Sequence, residues 1–390
     1  IDVGEREQAS NNSVLVTGDG TSMNSSGSLS VGYEGGGNSL MVSNGASVSS
    51  AWGYVGVRAE SSNNTAVVSG PGSIWRSRGS VEVGLSSSGN QLTVSDGGLV
   101  ATRYGSIGTG SSASNNLAVV TGEGSAWSNE HSFYVGEWGA GNRLEILDGG
   151  HVYNDRGTIG AVEGADGNSV LISGYGSSWS NRGDVSIGYY GSGNTMTVSE
   201  GGSVWSEDGT IGDGTNSINN KVEISGTDSL WNSGALSVGD EGSGNALEVR
   251  DGALVSTRSL WIGEGVGAIS NSASVSGENS ILTLAGDFYV GASGNSNELT
   301  VTNGGYVENE YGHIGYRERA GGNKVLVTGM GSVWSNRNSM TVGLGGSENH
   351  VEIVDGGHVY NDYADIGFHT NSINNSALVS GVGSEWISRG

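Results

Sequence analysis

At 390 residues the chain is long enough for two or three ordinary domains, yet 73 residues are Gly and only 34% are hydrophobic, against a usual apolar share of about 45–50%. One Pro, ten Trp and fourteen Tyr argue against disorder, which favours Pro and depletes aromatics. The net charge of −24 repels nucleic acid and anionic membrane surfaces, the lack of Cys excludes disulfides and thiolate metal sites, and no apolar run approaches the ~18 residues of a membrane span.

The first segment, "IDVG" at Ile1–Gly4, has the form of the end of a repeat, and the charged loop "GEREQASN" at Gly4–Asn11 leads to the first complete one. From Asn12 an asparagine recurs every 26 residues, through Asn38, Asn64, Asn90, Asn116, Asn142, Asn168 and Asn194 to Asn220. One step of 25 reaches Asn245, and steps of 26 continue through Asn271, Asn297, Asn323 and Asn349 to Asn375. A second marker, the Gly that follows a Val or Ile, falls at Gly32, Gly56, Gly84, Gly108 and onward to Gly367, with steps that alternate between 24 and 28 apart from one of 27. The unit is therefore 52 residues, built from two 26-residue halves. The single missing residue lies between Trp231 and Gly234, in a turn, where its loss leaves strand faces unchanged.

Within a half the apolar residues alternate over short stretches. Leu92 and Val94 precede the turn "SDGG", Val100 follows it, and "GSIG" with Ile107 closes the half. Period two bounded by Gly, Asn and Asp predicts strands and turns, and no stretch has a helical apolar pattern. Three strands per 26 residues, repeated about fifteen times, predict a right-handed single-stranded parallel β-helix occupying 1–390 as one continuous domain, with coils stacked at about 4.8 Å into a rod of roughly 70 Å. Propeller blades and leucine-rich repeats fit neither the period nor the strand content.

Stacking accounts for the composition. Trp75, Trp127, Trp179, Trp231, Trp334 and Trp386 share one register of the first half-type, with Met23 and Leu282 replacing Trp in two coils. Val48, Val100, Val152, Val204, Val255, Val307 and Val359 hold the equivalent place in the second. Large and small side chains should thus alternate up a narrow core. The recurring Asn is expected to face inward as an amide ladder, and the glycines to turn the corners.

The pattern in "GSVWSNRNSMTVG" with "NHVEIVDGGHVYNDYADIG", and in "GSSWSNRGDVSIG" with "GNTMTVSEGGSV", resembles the repeats of bacterial type V (autotransporter) passenger proteins along essentially the whole chain. The resemblance implies an extracellular or outer-surface protein with a long β-helical stalk, often adhesive, whose partner is a host, neighbouring-cell or matrix surface. It names no ligand. Both chain ends fall within a repeat, so the chain is expected to be a segment of a longer array; end-to-end association into a filament is an alternative.

Any chemistry should lie in the least repetitive stretches. "DGGHVYND" occurs at Asp148–Asp155 and Asp355–Asp362, and "TNSINN" at Thr215–Asn220 and Thr370–Asn375. Both pairs occupy equivalent registers, so His151, Tyr153, His358 and Tyr360 should face outward beside inward Val152 and Val359. Asp148 and Asp355 should be Asx-turn residues, equivalent to Asp96, Glu200, Asp251, Asn44 and Asn303, and the two copies lie eight coils apart, too far to form one site. The DGG aspartate recurs every second coil, at about 10 Å, too widely for a calcium ladder, leaving weak surface Ca2+ binding as the only metal expectation. No zinc-protease, nucleophile-elbow or phosphate-loop motif is present, and no insertion gathers groups into a cleft. No catalytic, cofactor-binding or metal-ligating residue is assigned, and the protein is expected not to be an enzyme; the rival is a polysaccharide-acting β-helix. Glu5, Arg6, Glu7, Arg317, Glu318 and Arg319 are expected to be solvated loop charges.

Overall fold

The computed structural model describes residues 1–389, and among them it is all strand, turn and bend, without a helix. Each repeat is one coil of a parallel β-solenoid with three strands, and there are about fifteen coils. In the coil that starts at Asn90 the strands are Gln91–Ser95, Leu99–Thr102 and Tyr104–Ile107. Side chains alternate inward and outward along each, as the period of two requires.

The chain divides into two compact units. The first comprises Ile1–Val185, Tyr190–Thr197 and Gly201–Trp205; the second comprises Ser186–Tyr189, Val198–Glu200 and the chain from Ser206 onward. In the first, Leu92 pairs with Ala118 and Ala118 with Leu144 in the first-strand sheet. Val100, Trp127, Val152 and Trp179 follow one another in the second-strand sheet. In the second unit the equivalent row runs Trp231, Val255, Leu282, Val307, Trp334, Val359. All ten of these Trp, Val and Leu side chains are buried, so the alternation of large and small side chains is the packing rule of each core. The residue missing after Trp231 is absorbed where expected: Trp231 and Leu236 are both fully buried on either side of the shortened turn.

The ladder asparagines hold each coil to the next. Asn64 Oδ1 accepts from Asn38 N at 2.8 Å and from Asn38 Nδ2 at 3.1 Å; Asn116 Oδ1 accepts from Asn90 N at 2.9 Å and from Asn90 Nδ2 at 3.1 Å. The closing glycine is set by the same ladder. A Cβ on Gly84 would lie 2.2 Å from Asn116 Nδ2, so the carboxamide fills the space a side chain would need.

Two corner features differ from the sequence expectation or went unnoticed in it. Asp96 and Gly97 both have positive φ, 53° and 84°, and Gly98 N donates to Ser95 O at 2.9 Å. That is a type I′ turn, not an Asx turn. Asn44, Asp148, Glu200, Asp251, Asn303 and Asp355 share the left-handed backbone at this position, with φ between 50° and 58°. A ladder of buried serines then stitches the coils together at this corner. Ser125 Oγ accepts from Gly97 N, Ser177 Oγ from Gly149 N, and Ser280 Oγ from Gly252 N, each at 3.0 Å.

Candidate functional site

With the interior closed by these ladders, function has to reside on outward rows, where the repeat does not dictate residue identity. The duplicated octapeptide is one such place. His151 Nδ1 lies 2.8 Å from Ser178 Oγ and its ring stacks on Tyr153 at 5.7 Å. His358 Nδ1 instead meets Tyr360 Oη at 2.7 Å. Asp155 pairs with Arg182 at 3.8 Å. The histidines and tyrosines do face outward, but each copy has its own local partners, in a different unit. "TNSINN" is a piece of ladder: Ser372 Oγ donates to Gly346 O at 2.7 Å and accepts from the ladder residue Asn375 at 2.9 Å. Glu5, Arg6, Glu7, Arg317, Glu318 and Arg319 are exposed loop charges. Among the described residues no three His, Asp or Glu side chains are placed to hold a metal ion.

The third-strand face of the first unit carries a more specific arrangement. Register places Trp52, Ser80 and Tyr104 in one row, and Tyr54, Glu82, Ser106 and Tyr134 in the next outward row. All of these except Tyr54, together with Arg78, Arg103 and Glu137, line an open groove of about 780 Å³. Trp52 and Tyr104 stand exposed at its rim, 49% and 44% accessible. The Tyr104 ring lies 4.9 Å from that of His131, and Arg103 pairs with Glu130 at 3.6 Å. Glu82 Oε1 accepts from Ser80 Oγ at 2.6 Å, whereas Glu82 Oε2 is buried without a hydrogen-bond partner. Burial, and then the charge of Glu82, push the Glu137 carboxyl above its ordinary range. Burial and Glu82 likewise raise the Tyr54 phenol.

The same face of the second unit is aromatic and acidic. Trp261 and Tyr289 stack with centroids 5.8 Å apart and planes 2° apart, and Tyr289 stacks on His313 at 5.0 Å. Burial lowers the His313 pKa, and Tyr289 Oη donates to Asp287 at 2.9 Å. Immediately after the closing glycines come Asp213, Asp240 and Glu264, in three successive coils. Burial, then Asp240 and Glu241, raise Asp213 to about 6. Asp240 is raised by burial and then by Glu241. Glu264 is raised by burial and then by Asp240.

At none of these positions is the residue type kept from coil to coil, and the sequence reading, which rests on repetition, missed them. The signal was present in the third-strand outward positions read down successive coils, where Trp, Ser, Tyr and Tyr, Glu, Ser, Tyr depart from the small polar residues common elsewhere.

No protein-family model matches the chain, and no curated protein matches it. Among solved structures the chain is similar to a fragment of TibA described as hyper-glycosylated by TibC catalysis. The identity is 17% and the TM-score 0.48, covering 86% of this chain and 94% of that one.

Proposed function

We propose that the protein is an adhesive, non-enzymatic scaffold of the autotransporter-passenger type, held outside a bacterial cell or on its surface, where its outward rows meet a host, neighbouring-cell or matrix surface. The observation that carries this reading is the division of labour between ladder and surface. Coil after coil keeps the Asn carboxamide and the close-packed column, and alternate coils keep the corner Ser, while aromatic and charged residues vary freely on the outer rows. Such a framework tolerates surface change without refolding, as a protein that meets varied partners requires. The repeat sequences quoted above support the passenger assignment by resemblance, and a chain without Cys suits export unfolded.

The test is display of the chain on a bacterial surface through a fused transport barrel, scored as attachment to glass, to a mucin layer and to epithelial monolayers. A gain in attachment over cells displaying no passenger is expected, with no new reducing ends from polysaccharide incubated with the purified chain. Equal attachment with and without the chain overturns the adhesive reading, and release of reducing ends overturns the non-enzymatic one.

A further inference from the structure

We propose that the groove between Trp52 and Tyr104 in the first unit binds an extended, neutral polysaccharide, the two rings serving as stacking platforms and Glu82 accepting a sugar hydroxyl. This rests on the adhesive reading above and names a ligand class and a site for it.

The rings come first. Trp52 and Tyr104 belong to one row with Ser80 between them, so they stand about 10 Å apart, two coil spacings. Ring, gap and ring along a straight axis match alternate units of an extended sugar chain, whose C–H faces pack on aromatic faces. Both rings are supported. A Cβ on Gly79 would come 2.5 Å from Trp52 Nε1, so the indole lies across that glycine, and Tyr104 leans on His131. Large rings held in place yet half exposed lose little freedom on binding.

The floor supplies the polar half of the match. A buried carboxylate oxygen without a partner is destabilising, and Glu82 Oε2 is in that state while the Glu82 side chain lines the groove. A sugar hydroxyl is a donor of the right size. Arg78 Nη2 donates to Ser26 O at 3.0 Å and among the described residues no carboxylate pairs with it, so its remaining N–H groups are available to ring and hydroxyl oxygens. Glu82 and Glu137 together on the floor disfavour an acidic sugar. A peptide that adds as a strand is disfavoured as well, because the third strand at Ser80–Val83 is already paired on both sides and leaves no edge to extend.

The experiment is isothermal titration of the full chain with cellohexaose and chitohexaose, and with hexagalacturonate as the charged comparison. Saturable binding of at least one neutral hexasaccharide is expected. Trp52→Ala, Tyr104→Ala and Glu82→Ala should each weaken it about tenfold, while Trp205→Ala, an exposed Trp outside the groove, leaves it unchanged. Circular dichroism melting of every variant confirms the fold, and the exposed Trp52 and Tyr104 substitutions should leave it intact if Glu82→Ala does not. Three results would each overturn the proposal: no neutral hexasaccharide bound at about 10 mM, binding confined to hexagalacturonate, or neutral binding indifferent to both ring substitutions. Attachment of chain-displaying cells despite any of these would sink the groove while leaving the adhesive reading in place.

Discussion

Trp179 illustrates how tightly single residues are coupled between coils. Its indole reaches across the core to the third strand of the preceding coil, where a Cβ on Gly157 would lie 2.4 Å from Cζ2. Gly53, Gly209 and Gly312 stand in the same relation to Trp75, Trp231 and Trp334, at 2.5, 2.5 and 2.9 Å. Where Leu282 replaces Trp, the glycine position of the preceding coil holds Leu260, and both leucines are buried. Volume is therefore conserved by a pair of residues 22 apart. Leu282→Trp alone should destabilise by about 1–3 kcal/mol through overpacking, and Leu260→Gly alone by about 2–5 kcal/mol through the cavity it leaves. The double variant should recover most of both losses, a coupling that chemical denaturation of all four proteins would measure; additive losses would refute the pairing. Trp127 offers a converse case, since its Nε1 is buried without a partner. Trp179 and Trp334 donate to Asn154 and Asn309 at 2.8 and 2.7 Å, whereas the corresponding residue before Trp127 is Thr102, whose hydroxyl donates to Asn129 Oδ1 and Tyr104 O. Thr102→Asn should reproduce the arrangement at Trp179 and add about 1 kcal/mol, read as a rise in the denaturation midpoint. Both couplings were present in the sequence at fixed spacings, but the first crosses from one sheet to another and the second joins different positions of neighbouring strands, so neither shows in a search along one register.

At the scale of the coil, the ladder asparagine and the residue before it act together. The preceding residue has positive φ at every ladder step: Asn63 at 57°, Gly89 at 71°, Asn115 at 55°, Gly141 at 67°. The chain must turn there so that the next carboxamide points inward, and Gly or Asn meets that demand at least cost. Glu348, at φ 61°, meets it poorly. Glu348→Gly should stabilise the second unit by roughly 0.5–1 kcal/mol, measured by urea denaturation, while the same substitution at exposed Glu318 should not. For the ladder itself, Asn116→Ala removes the acceptor of both Asn90 N and Asn90 Nδ2; the buried backbone N–H is stranded, while Nδ2 keeps Ser87 Oγ at 2.9 Å. A loss of about 2–4 kcal/mol is expected. It should appear in hydrogen exchange as lost protection centred on the coils of Asn90 and Asn116, since repeat arrays transmit damage mainly to neighbours. The inward ladder was legible from period alone. The left-handed residue beside it was equally periodic, but its mixture of Gly, Asn, Ser and Glu hid one backbone requirement behind four residue types.

For the molecule as a whole, charge sets how stability responds to pH. The fold was almost wholly legible because one coil, understood once, is repeated about fifteen times; the outer rows were not, because they are where repeats are free to differ. The acidic row of the second unit, Asp213, Asp240 and Glu264, is such a departure, and its pKa values are raised by burial and by one another. A carboxyl whose folded pKa exceeds its unfolded value binds protons more readily when folded, so protonation favours the folded state. For Asp213, raised to about 6 from 3.8, the associated stability is complete below about pH 4 and is lost as pH rises through about 6. The excess of 40 acidic over 16 basic residues acts in the same direction, because general repulsion also grows as carboxylates ionise. The thermal midpoint should accordingly fall between pH 4 and pH 7, the opposite of a protein stabilised by ion-paired carboxylates. Asp213→Asn should flatten the fall and raise the midpoint at pH 7, where the row is otherwise charged. Added salt should flatten it further by screening the remaining charges. A midpoint that rises from pH 4 to pH 7 in the native chain, or falls just as steeply once Asp213→Asn has been introduced, would show that this row does not govern the response.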